Sequence, residues 1–277
     1  MSKLPNFLVV GVMKAGTSGA ALNLNMHPEI YCITPYWKKR MIEKYSYNTG
    51  SFVGGMSNEN SKEMDFFNLK TNYDHGIDVY KSFFPINSVP NRGESSPNYF
   101  CLDENRYSGC MARMAEGLDT ENTKIIVFLR DPITRAYSHW NHIQQPGTTF
   151  GQRYNGKTFN ECTEQASNPA QKNAILGRSL YANNLASFRS TFGGDNVYVV
   201  TQESIVANPL VEYNKIFNFL GTFDLPTDPG FIMANVSDYT GSIDSQSLNW
   251  CKDYFKNDVT LVKALYPDLD YSGWNSY

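Results

Sequence analysis

Phe7-Leu-Val-Val-Gly11-Val-Met-Lys14-Ala-Gly16-Thr17-Ser18, near the start of the chain, carries the strongest prediction in this sequence. Its first residues form a short apolar run, which is typical of a buried strand. The run leads into a loop with two glycines and a lysine, and Thr17 and Ser18 stand where a helix is expected to begin. A buried strand, a loop of free backbone N–H groups and a helix N-terminus together predict a site for a phosphate group.

The spacing of Gly11 and Gly16 in this loop matches a Walker A loop, which holds the phosphates of ATP. Thr17, however, stands where a Walker A loop has its lysine, and the cation lies within the loop at Lys14. The segment therefore favours a phosphate-bearing ligand other than ATP.

A second apolar run, residues 124–129, predicts another buried strand and is followed directly by Arg130. Pro132 favours the first turn of a helix, on which Arg135 and Ser138 lie three residues apart and so share one face. Because open α/β sheets bind ligands at the carboxyl ends of their strands, Arg130 and Ser138 are suitable partners for a second phosphate.

The two segments resemble the 5′-phosphosulfate loop and the 3′-phosphate motif of sulfotransferases that use 3′-phosphoadenosine 5′-phosphosulfate (PAPS). The closer likeness is to the branch that contains the heparan sulfate N- and 3-O-sulfotransferases. Further segments match that branch in the same order, from about residue 6 to about residue 220: 62–67, 73–80, 93–100, 178–181, 196–201 and 208–209.

The resemblance implies an α/β fold, with a P-loop-like strand-loop-helix and a central parallel sheet flanked by helices on both faces. It implies PAPS as co-substrate, adenosine 3′,5′-bisphosphate (PAP) as product, and no metal. Lys14 would neutralise charge on the leaving phosphate oxygen, and Glu63 would be the general base that takes the acceptor's proton. The residues implied to bind PAPS are Lys14, Ala15, Gly16, Thr17, Ser18, Arg130, Ser138, Arg178 and Tyr181.

Other residues could serve as the base. His75, His139 and His142 are rivals to Glu63, since histidine exchanges protons near neutral pH. Lys62 is expected to be a surface or acceptor-side cation, and Arg135 is expected to pair with a carboxylate.

Two departures from the branch bear on the acceptor. Ser95 replaces the lysine of a Glu-Lys-x-Pro segment, and 237–242, the counterpart of a C-terminal Lys-Gly-Arg loop, lacks both cations. The formal net charge of −3 also disfavours a strongly polyanionic partner. These observations favour a small-molecule or neutral glycan acceptor with a hydroxyl or amine, and neither a nucleic acid nor a membrane partner is expected.

Composition agrees with an enzyme of this kind. The 277 residues, 41% of them hydrophobic, suffice for a single domain over 1–277. No apolar stretch approaches the roughly 18 residues of a membrane span, and no signal peptide is expected. The five scattered cysteines indicate reduced thiols and a cytoplasmic location. The oligomeric state is not predicted.

Alternating strand and helix patterns predict a parallel sheet covered on both faces. The stretch 36–61, rich in Tyr, Lys, Asn, Gly and Ser, has no clear period and is predicted to be a loop or partly helical insert near the acceptor site. The predicted strands span about 6–11, 30–33, 124–129 and 196–201, and the predicted helices about 17–26, 132–144, 171–191, 209–220 and 245–265.

Two other classes of function remain open. A P-loop nucleotide kinase or other phosphotransferase would need ATP and Mg²⁺, and it is disfavoured by Thr17 and by the lack of a clear acidic Mg²⁺ site. A non-catalytic nucleotide-binding module would bind the nucleotide without turnover.

Overall fold

The protein is described from a computed structural model, in which the chain folds around a five-stranded sheet. The structure describes residues 4–45, 49–58, 61–84, 89–102, 104–145, 154, 156–166, 169–232, 242–275 and 277.

The strands of the sheet are all parallel and lie in the order β2-β3-β1-β4-β5. The strand at the centre, β1, is buried at every residue. Since successive side chains of a strand point to opposite faces, the sheet is covered on both faces around β1. The strands are β1 (Phe7–Gly11), β2 (Ile30–Cys32), β3 (Asn91–Ser95), β4 (Lys124–Leu129) and β5 (Val197–Thr201).

The helices connect the strands and pack around them. The α-helices are α1 (Thr17–Leu24), α2 (Pro35–Tyr45), α3 (Lys70–Tyr73), α4 (Ile77–Ser82), α5 (Cys110–Gly117), α6 (Pro132–Ile143), α7 (Phe159–Cys162), α8 (Pro169–Ile175), α9 (Ala182–Phe192), α10 (Gln202–Ala207), α11 (Pro209–Phe219) and α12 (Ser245–Leu265). Short 3₁₀ turns cover Thr49–Ser51, Gly54–Ser57, Pro97–Phe100, Asn105–Tyr107, Gly177–Ser179 and Gly194–Asn196.

The predicted fold class is confirmed: four predicted strands are present, and the sheet is parallel. Among the predicted helices, 245–265 has its predicted ends, and 17–26, 132–144 and 209–220 end one or two residues early.

One strand was missed and one predicted helix is wrong. The strand β3 was not predicted, because Asn91-Arg-Gly-Glu-Ser95 lacks an apolar run. The single helix predicted over 171–191 is divided into α8, a 3₁₀ turn and α9. Ser179 lies in that turn and donates to the backbone oxygen of Pro132 at 2.8 Å, a tertiary bond that fixes the interruption.

The stretch 36–61 is more ordered than a loop where the structure describes it. It contains most of α2 and two 3₁₀ turns, Thr49–Ser51 and Gly54–Ser57, while 46–48 and 59–60 lie outside the described residues.

Close packing around β1 fixes the start of the loop that follows it. A Cβ atom at Gly11 would lie 2.6 Å from Cβ of Phe100, so only glycine fits there. All five cysteines are buried and free. Within the described ranges, no helix is long and apolar enough to cross a membrane.

Candidate active site

The loop between β1 and α1 has the backbone of an anion site. Gly16 precedes the helix with φ of 89°, and Lys14 also has a positive φ, 73°. No side chain caps α1, and its first turn holds no acidic residue. The first N–H groups of a helix lack partners within the helix, so this end of α1 offers donors and a positive dipole to an anion.

Arg130 lies at the carboxyl end of β4 and faces the same loop. Its Nη1 donates to the backbone oxygen of Lys14 at 3.2 Å, and its Nε donates to Oγ1 of Thr134 at 3.2 Å. Asp131 caps α6 by accepting from the backbone N–H groups of Ile133 and Thr134, both at 2.9 Å. The cap holds the start of α6, and with it Arg130, beside the β1–α1 loop.

A cavity of about 340 Å³ lies between these two segments. It brings together most of the predicted site residues, including both proposed catalytic groups, Lys14 and Glu63. Its lining residues are Met13, Lys14, Gly16, Thr17, Ser18, Glu63, Pro97, Arg130, Ser138, His142, Gln145 and Gln202.

Three predicted PAPS-binding residues do not line this cavity. Ala15 is fully buried in the core. Tyr181 is also fully buried, and its hydroxyl donates to the backbone oxygen of Arg130 at 2.8 Å. It therefore helps to fix the backbone of Arg130. Arg178 lines a neighbouring cavity instead. Their roles toward a ligand stay predictions.

Glu63 stands on the opposite wall of the cavity with 30% of its side chain exposed. One of its carboxylate oxygens lies 3.7 Å from Nζ of Lys62. Burial raises the pKa of the Glu63 carboxyl, and the charge of Lys62 opposes that rise. The pair therefore keeps an acid of raised pKa next to a cation.

Lys62 was predicted to be a surface or acceptor-side cation, and the structure does not place it at the surface. Only 11% of its side chain is exposed, and burial lowers the pKa of its ammonium group. Its Nζ donates to the backbone oxygen of Ser95 at 2.9 Å and to the Ser95 hydroxyl at 3.2 Å. That hydroxyl donates in turn to the backbone oxygen of Thr17 at 3.3 Å. Lys62 thus links the Glu63 segment to the phosphate loop.

A second buried lysine, Lys38 of α2, holds the same segment. Its Nζ donates to the backbone oxygens of Gly55 at 2.6 Å and of Glu63 at 3.0 Å. Burial lowers the pKa of Lys38 to about 8. The stretch 36–61 therefore contributes directly to the position of Glu63.

The backbone just after Glu63 is held by a buried carboxylate in β3. Glu94 accepts from the hydroxyls of Tyr80 at 2.9 Å, Ser96 at 2.5 Å and Tyr99 at 2.5 Å. Burial raises the pKa of Glu94 to about 7. The Ser96 hydroxyl accepts from the N–H groups of residues 64 and 65 at 2.8 and 3.2 Å, and the Tyr99 hydroxyl accepts from that of residue 66 at 3.0 Å.

The three rival histidines occupy different positions. Nε2 of His75 lies 2.9 Å from the backbone oxygen of Ser51, and His75 lines neither cavity. His139 is buried, and burial followed by the charge of Arg135 lowers its pKa well below the usual range. His142 lines both cavities, and burial followed by the charge of Lys14 lowers its pKa. His142 is thus the rival base that the geometry favours.

Arg135 does not pair with a carboxylate in the described part of the chain, contrary to the prediction. It is fully buried, and it donates to Oγ of Ser179 at 2.5 Å and to the backbone oxygen of Ile175. Burial lowers its pKa to about 10. Arg135 therefore ties α6 to the residues before α9.

A larger cavity, of about 660 Å³, adjoins the first. Met13 and His142 line both cavities, so the two meet at these side chains. The lining residues of the larger cavity are Met13, Val53, Gly54, Asp65, Leu69, Asn98, Arg106, Tyr107, His139, His142, Ile143, Tyr154, Ala174 and Arg178.

Sequence reasoning missed two amide side chains of the smaller cavity, Gln145 and Gln202. Gln202 directly follows β5, so the rule that ligands bind at the carboxyl ends of parallel strands could have found it. No comparable signal marked Gln145, which follows the end of α6.

Two further points concern the C-terminal segment 237–242 and the expectation that no metal is needed. The segment 237–242, the counterpart of the C-terminal Lys-Gly-Arg loop, lies outside the described residues except for Ser242. No cluster of three or more His, Cys, Asp or Glu residues suited to a metal occurs in the described ranges. The absence of a metal requirement stays a prediction.

Comparison with known proteins identifies the family. The sequence model of the sulfotransferase domain family matches residues 4–257 of this chain. The chain therefore belongs to the sulfotransferase family. The predicted resemblance to sulfotransferases is confirmed.

The relatives include enzymes of the heparan sulfate branch. Human bifunctional heparan sulfate N-deacetylase/N-sulfotransferase 1 is 26% identical over 257 residues, which cover 90% of this chain and 25% of the relative. The human enzyme numbered 2 is 28% identical over 227 residues, which cover 79% of this chain and 22% of the relative. The chain thus spans about a quarter of the length of these relatives.

Solved structures agree on the fold. A sulfotransferase from Alicyclobacillus acidocaldarius superposes with a TM-score of 0.64 at 23% identity, covering 98% of this chain and 99% of the other. The sulfotransferase domain of the Synechococcus PCC 7002 olefin synthase superposes with a TM-score of 0.52 at 15% identity, covering 96% of each chain.

Proposed function

We propose that the protein transfers the sulfuryl group of PAPS to a hydroxyl or amine of a small-molecule or glycan acceptor, without a metal. One observation carries the proposal. A single cavity joins the β1–α1 loop, the Arg130 and Ser138 pair, and the carboxylate of Glu63. These are two anion-binding elements and a base, as two phosphate groups and an acceptor proton require.

The two anion-binding elements have different tasks. The free N–H groups at the start of α1, with the hydroxyls of Thr17 and Ser18, hold the 5′ side of the donor. Arg130 and Ser138 hold the 3′-phosphate, which selects this nucleotide over ATP. When bound, PAPS supplies the sulfuryl group, and its leaving phosphate oxygen gains negative charge. Lys14 stabilises that charge, which is an effect realised in the transition state.

Glu63 completes the reaction on the acceptor side. As the S–O bond to the leaving phosphate breaks and the bond to the acceptor forms, the acceptor's proton moves to the Glu63 carboxylate. Lys62, 3.7 Å away, favours the ionised carboxylate that can accept this proton. Such a transfer needs positioning and charge stabilisation more than covalent catalysis by the protein.

Thermal unfolding with nucleotides tests the proposal. With a chelator present, PAP at about 100 times its Kd should stabilise the fold by about 2.7 kcal/mol, which raises Tm by several degrees. Adenosine 5′-phosphate should shift Tm much less, since it leaves Arg130 and Ser138 without their phosphate. In Arg130→Met the two nucleotides should become nearly equivalent, while the exposed control Arg40→Met should behave as the wild type.

Two outcomes would contradict the proposal. Equal increases in Tm from PAP and adenosine 5′-phosphate in the wild type would show that Arg130 and Ser138 do not bind a 3′-phosphate. A larger shift from ATP with Mg²⁺ than from PAP would favour a phosphotransferase.

A further inference from the structure

We infer that the 660 Å³ cavity is the acceptor site and that its acceptor is an uncharged, largely apolar alcohol or phenol. The inference rests on the proposed function, because it needs a sulfuryl donor in the smaller cavity. It differs from what the names of the heparan sulfate relatives would suggest, since it excludes an anionic glycan chain from this cavity.

The position of the cavity fits an acceptor. Met13 and His142 line both cavities, and the segment that carries Glu63 toward the smaller one carries Asp65 toward the larger. A molecule in the larger cavity can therefore present a hydroxyl at the junction while its body stays out of the phosphate site. A volume of 660 Å³ lies within the range of about 300–1,000 Å³ that is usual for small-molecule sites.

The walls of the cavity are mainly apolar, which favours an acceptor with an apolar body. The apolar lining side chains come from several segments: Met13, Val53, Leu69, Tyr107, Ile143, Tyr154 and Ala174. Val53 belongs to the stretch 36–61, which was predicted to lie near the acceptor, so the cavity gives that prediction a physical basis.

The charged side chains at the cavity are matched by one another. Glu104 accepts from Nε of Arg178 at 2.5 Å and from Nε of Arg106 at 2.8 Å, so one carboxylate serves two guanidinium groups. Nη1 of Arg178 also donates to Oδ1 of Asn98 at 3.2 Å. Asp65 adds a second carboxylate to the same wall.

Asp65 is likewise committed to the protein. Its carboxylate accepts from the N–H of Gly55 at 2.7 Å, from Asn68 at 3.0 Å and from Asn98 at 3.1 Å. Among the described lining residues and their partner Glu104, two guanidinium groups thus face two carboxylates. An anionic acceptor would lose its hydration here without gaining an uncompensated cation, and this cost disfavours a sulfated or uronic-acid chain.

Two probes that differ by one charge test the inference in the PAP-bound protein. 2-Naphthol should bind at sub-millimolar concentration, and 6-hydroxy-2-naphthoic acid, with the same ring and an added carboxylate, should bind at least about tenfold more weakly. Titration calorimetry measures both. In the transfer assay with PAPS, 2-naphthol should be sulfated in preference to a heparosan oligosaccharide.

Variants locate the binding. Ala174→Trp fills the larger cavity and should weaken 2-naphthol binding by at least about tenfold while leaving the PAP-induced Tm shift intact. Ala207→Trp, at an exposed position that lines neither cavity, is the matched control. Glu104→Gln should leave net positive charge on the wall and narrow the difference between the two probes, whereas the exposed Glu121→Gln should not.

These measurements distinguish a failure of the proposed sulfuryl transfer from a failure of the acceptor assignment. If PAP does not stabilise the protein, the proposed function fails. If PAP stabilises it but 2-naphthol does not bind at about 1 mM, or the carboxylate probe binds as well, or Ala174→Trp has no effect, the acceptor assignment alone is overturned.

Discussion

The two walls of the smaller cavity are built by different physical means. The phosphate wall, defined as residues 11–18 and 130–138, relies on backbone N–H groups, a helix dipole and cations at the ends of two adjacent strands. The base wall, defined as residues 62–66 and 94–99, relies on buried side chains that bond to one another and to backbone. Substitutions in the phosphate wall should therefore weaken the stabilisation of negative charge on the nucleotide. Substitutions in the base wall should instead change the pKa and the position of the Glu63 carboxylate.

The base wall should give the largest effect. Glu63→Gln keeps the shape of the side chain but cannot take the acceptor's proton, so turnover should fall by about 10²–10⁴-fold while PAP affinity stays within a few-fold. Single-turnover transfer from PAPS measures the rate, and the exposed Glu121→Gln is the control.

His142 decides whether the base belongs to that wall at all. It lines both cavities, so His142→Ala must be measured beside Glu63→Gln. A loss of less than about tenfold in Glu63→Gln, together with a collapse in His142→Ala at unchanged PAP affinity, would move the base to α6.

The phosphate wall should give a somewhat smaller effect that separates turnover from binding. Lys14→Ala removes one stabiliser of the leaving-group charge, and turnover should fall by on the order of 10²-fold. PAP binding should weaken less, because the N–H groups of α1 and the 3′-phosphate partners remain. Lys70→Ala, at an exposed lysine of α3, is the control. Turnover near the wild-type value in Lys14→Ala would mean that another residue stabilises the charge on the leaving phosphate oxygen.

The same comparison explains what the sequence could predict. The phosphate wall is local: each segment is an apolar strand followed by the residues proposed to bind the donor. Periodicity and spacing therefore suffice to predict that Lys14, Arg130 and Ser138 lie at one site, and all three line the smaller cavity. The base wall joins residues about thirty positions apart, as in the bond from Lys62 to Ser95. No local pattern encodes that contact, and β3 itself was missed because its buried groups are polar.

Burial also changes what was expected of two cations. Lys62 was expected to be a surface or acceptor-side cation, and Arg135 was expected to pair with a carboxylate, since lysine and arginine are rarely buried unless they are paired. Arg135 is fully buried and Lys62 largely so, and both donate to neutral oxygens, Lys62 to Ser95 and Arg135 to residues 175 and 179. Nη1 of Arg135 has no hydrogen-bond partner among the described residues. Such neutral partners are supplied by the tertiary fold and have no signature in the sequence.

The smallest expected effect concerns Lys62 and is seen mainly in the pH profile. The charged groups that face Glu63 are Lys62, Asp65, Lys38 and Arg178; burial and Asp65 raise its pKa, whereas the three cations lower it. Glu63 must be ionised to accept a proton, so activity rises as pH passes upward through its pKa. Lys62→Met removes the strongest of the opposing charges, and the acidic limb of kcat/KM should therefore move to higher pH.

Two measurements separate an effect of the Lys62 charge on Glu63 from a merely structural role of Lys62: kcat at pH values above the acidic limb, and the position of the limb in Lys62→Arg. Above the limb, kcat of Lys62→Met should stay within about tenfold of the wild type, because a partly exposed ion pair contributes little on its own. Lys62→Arg should return the limb toward its wild-type position, and Lys81→Met, at a lysine that lines neither cavity, should not move it. If Lys62→Met lowered kcat/KM equally at every pH, Lys62 would act only by holding Ser95 and the phosphate loop in place, and its charge would not set the ionisation of Glu63.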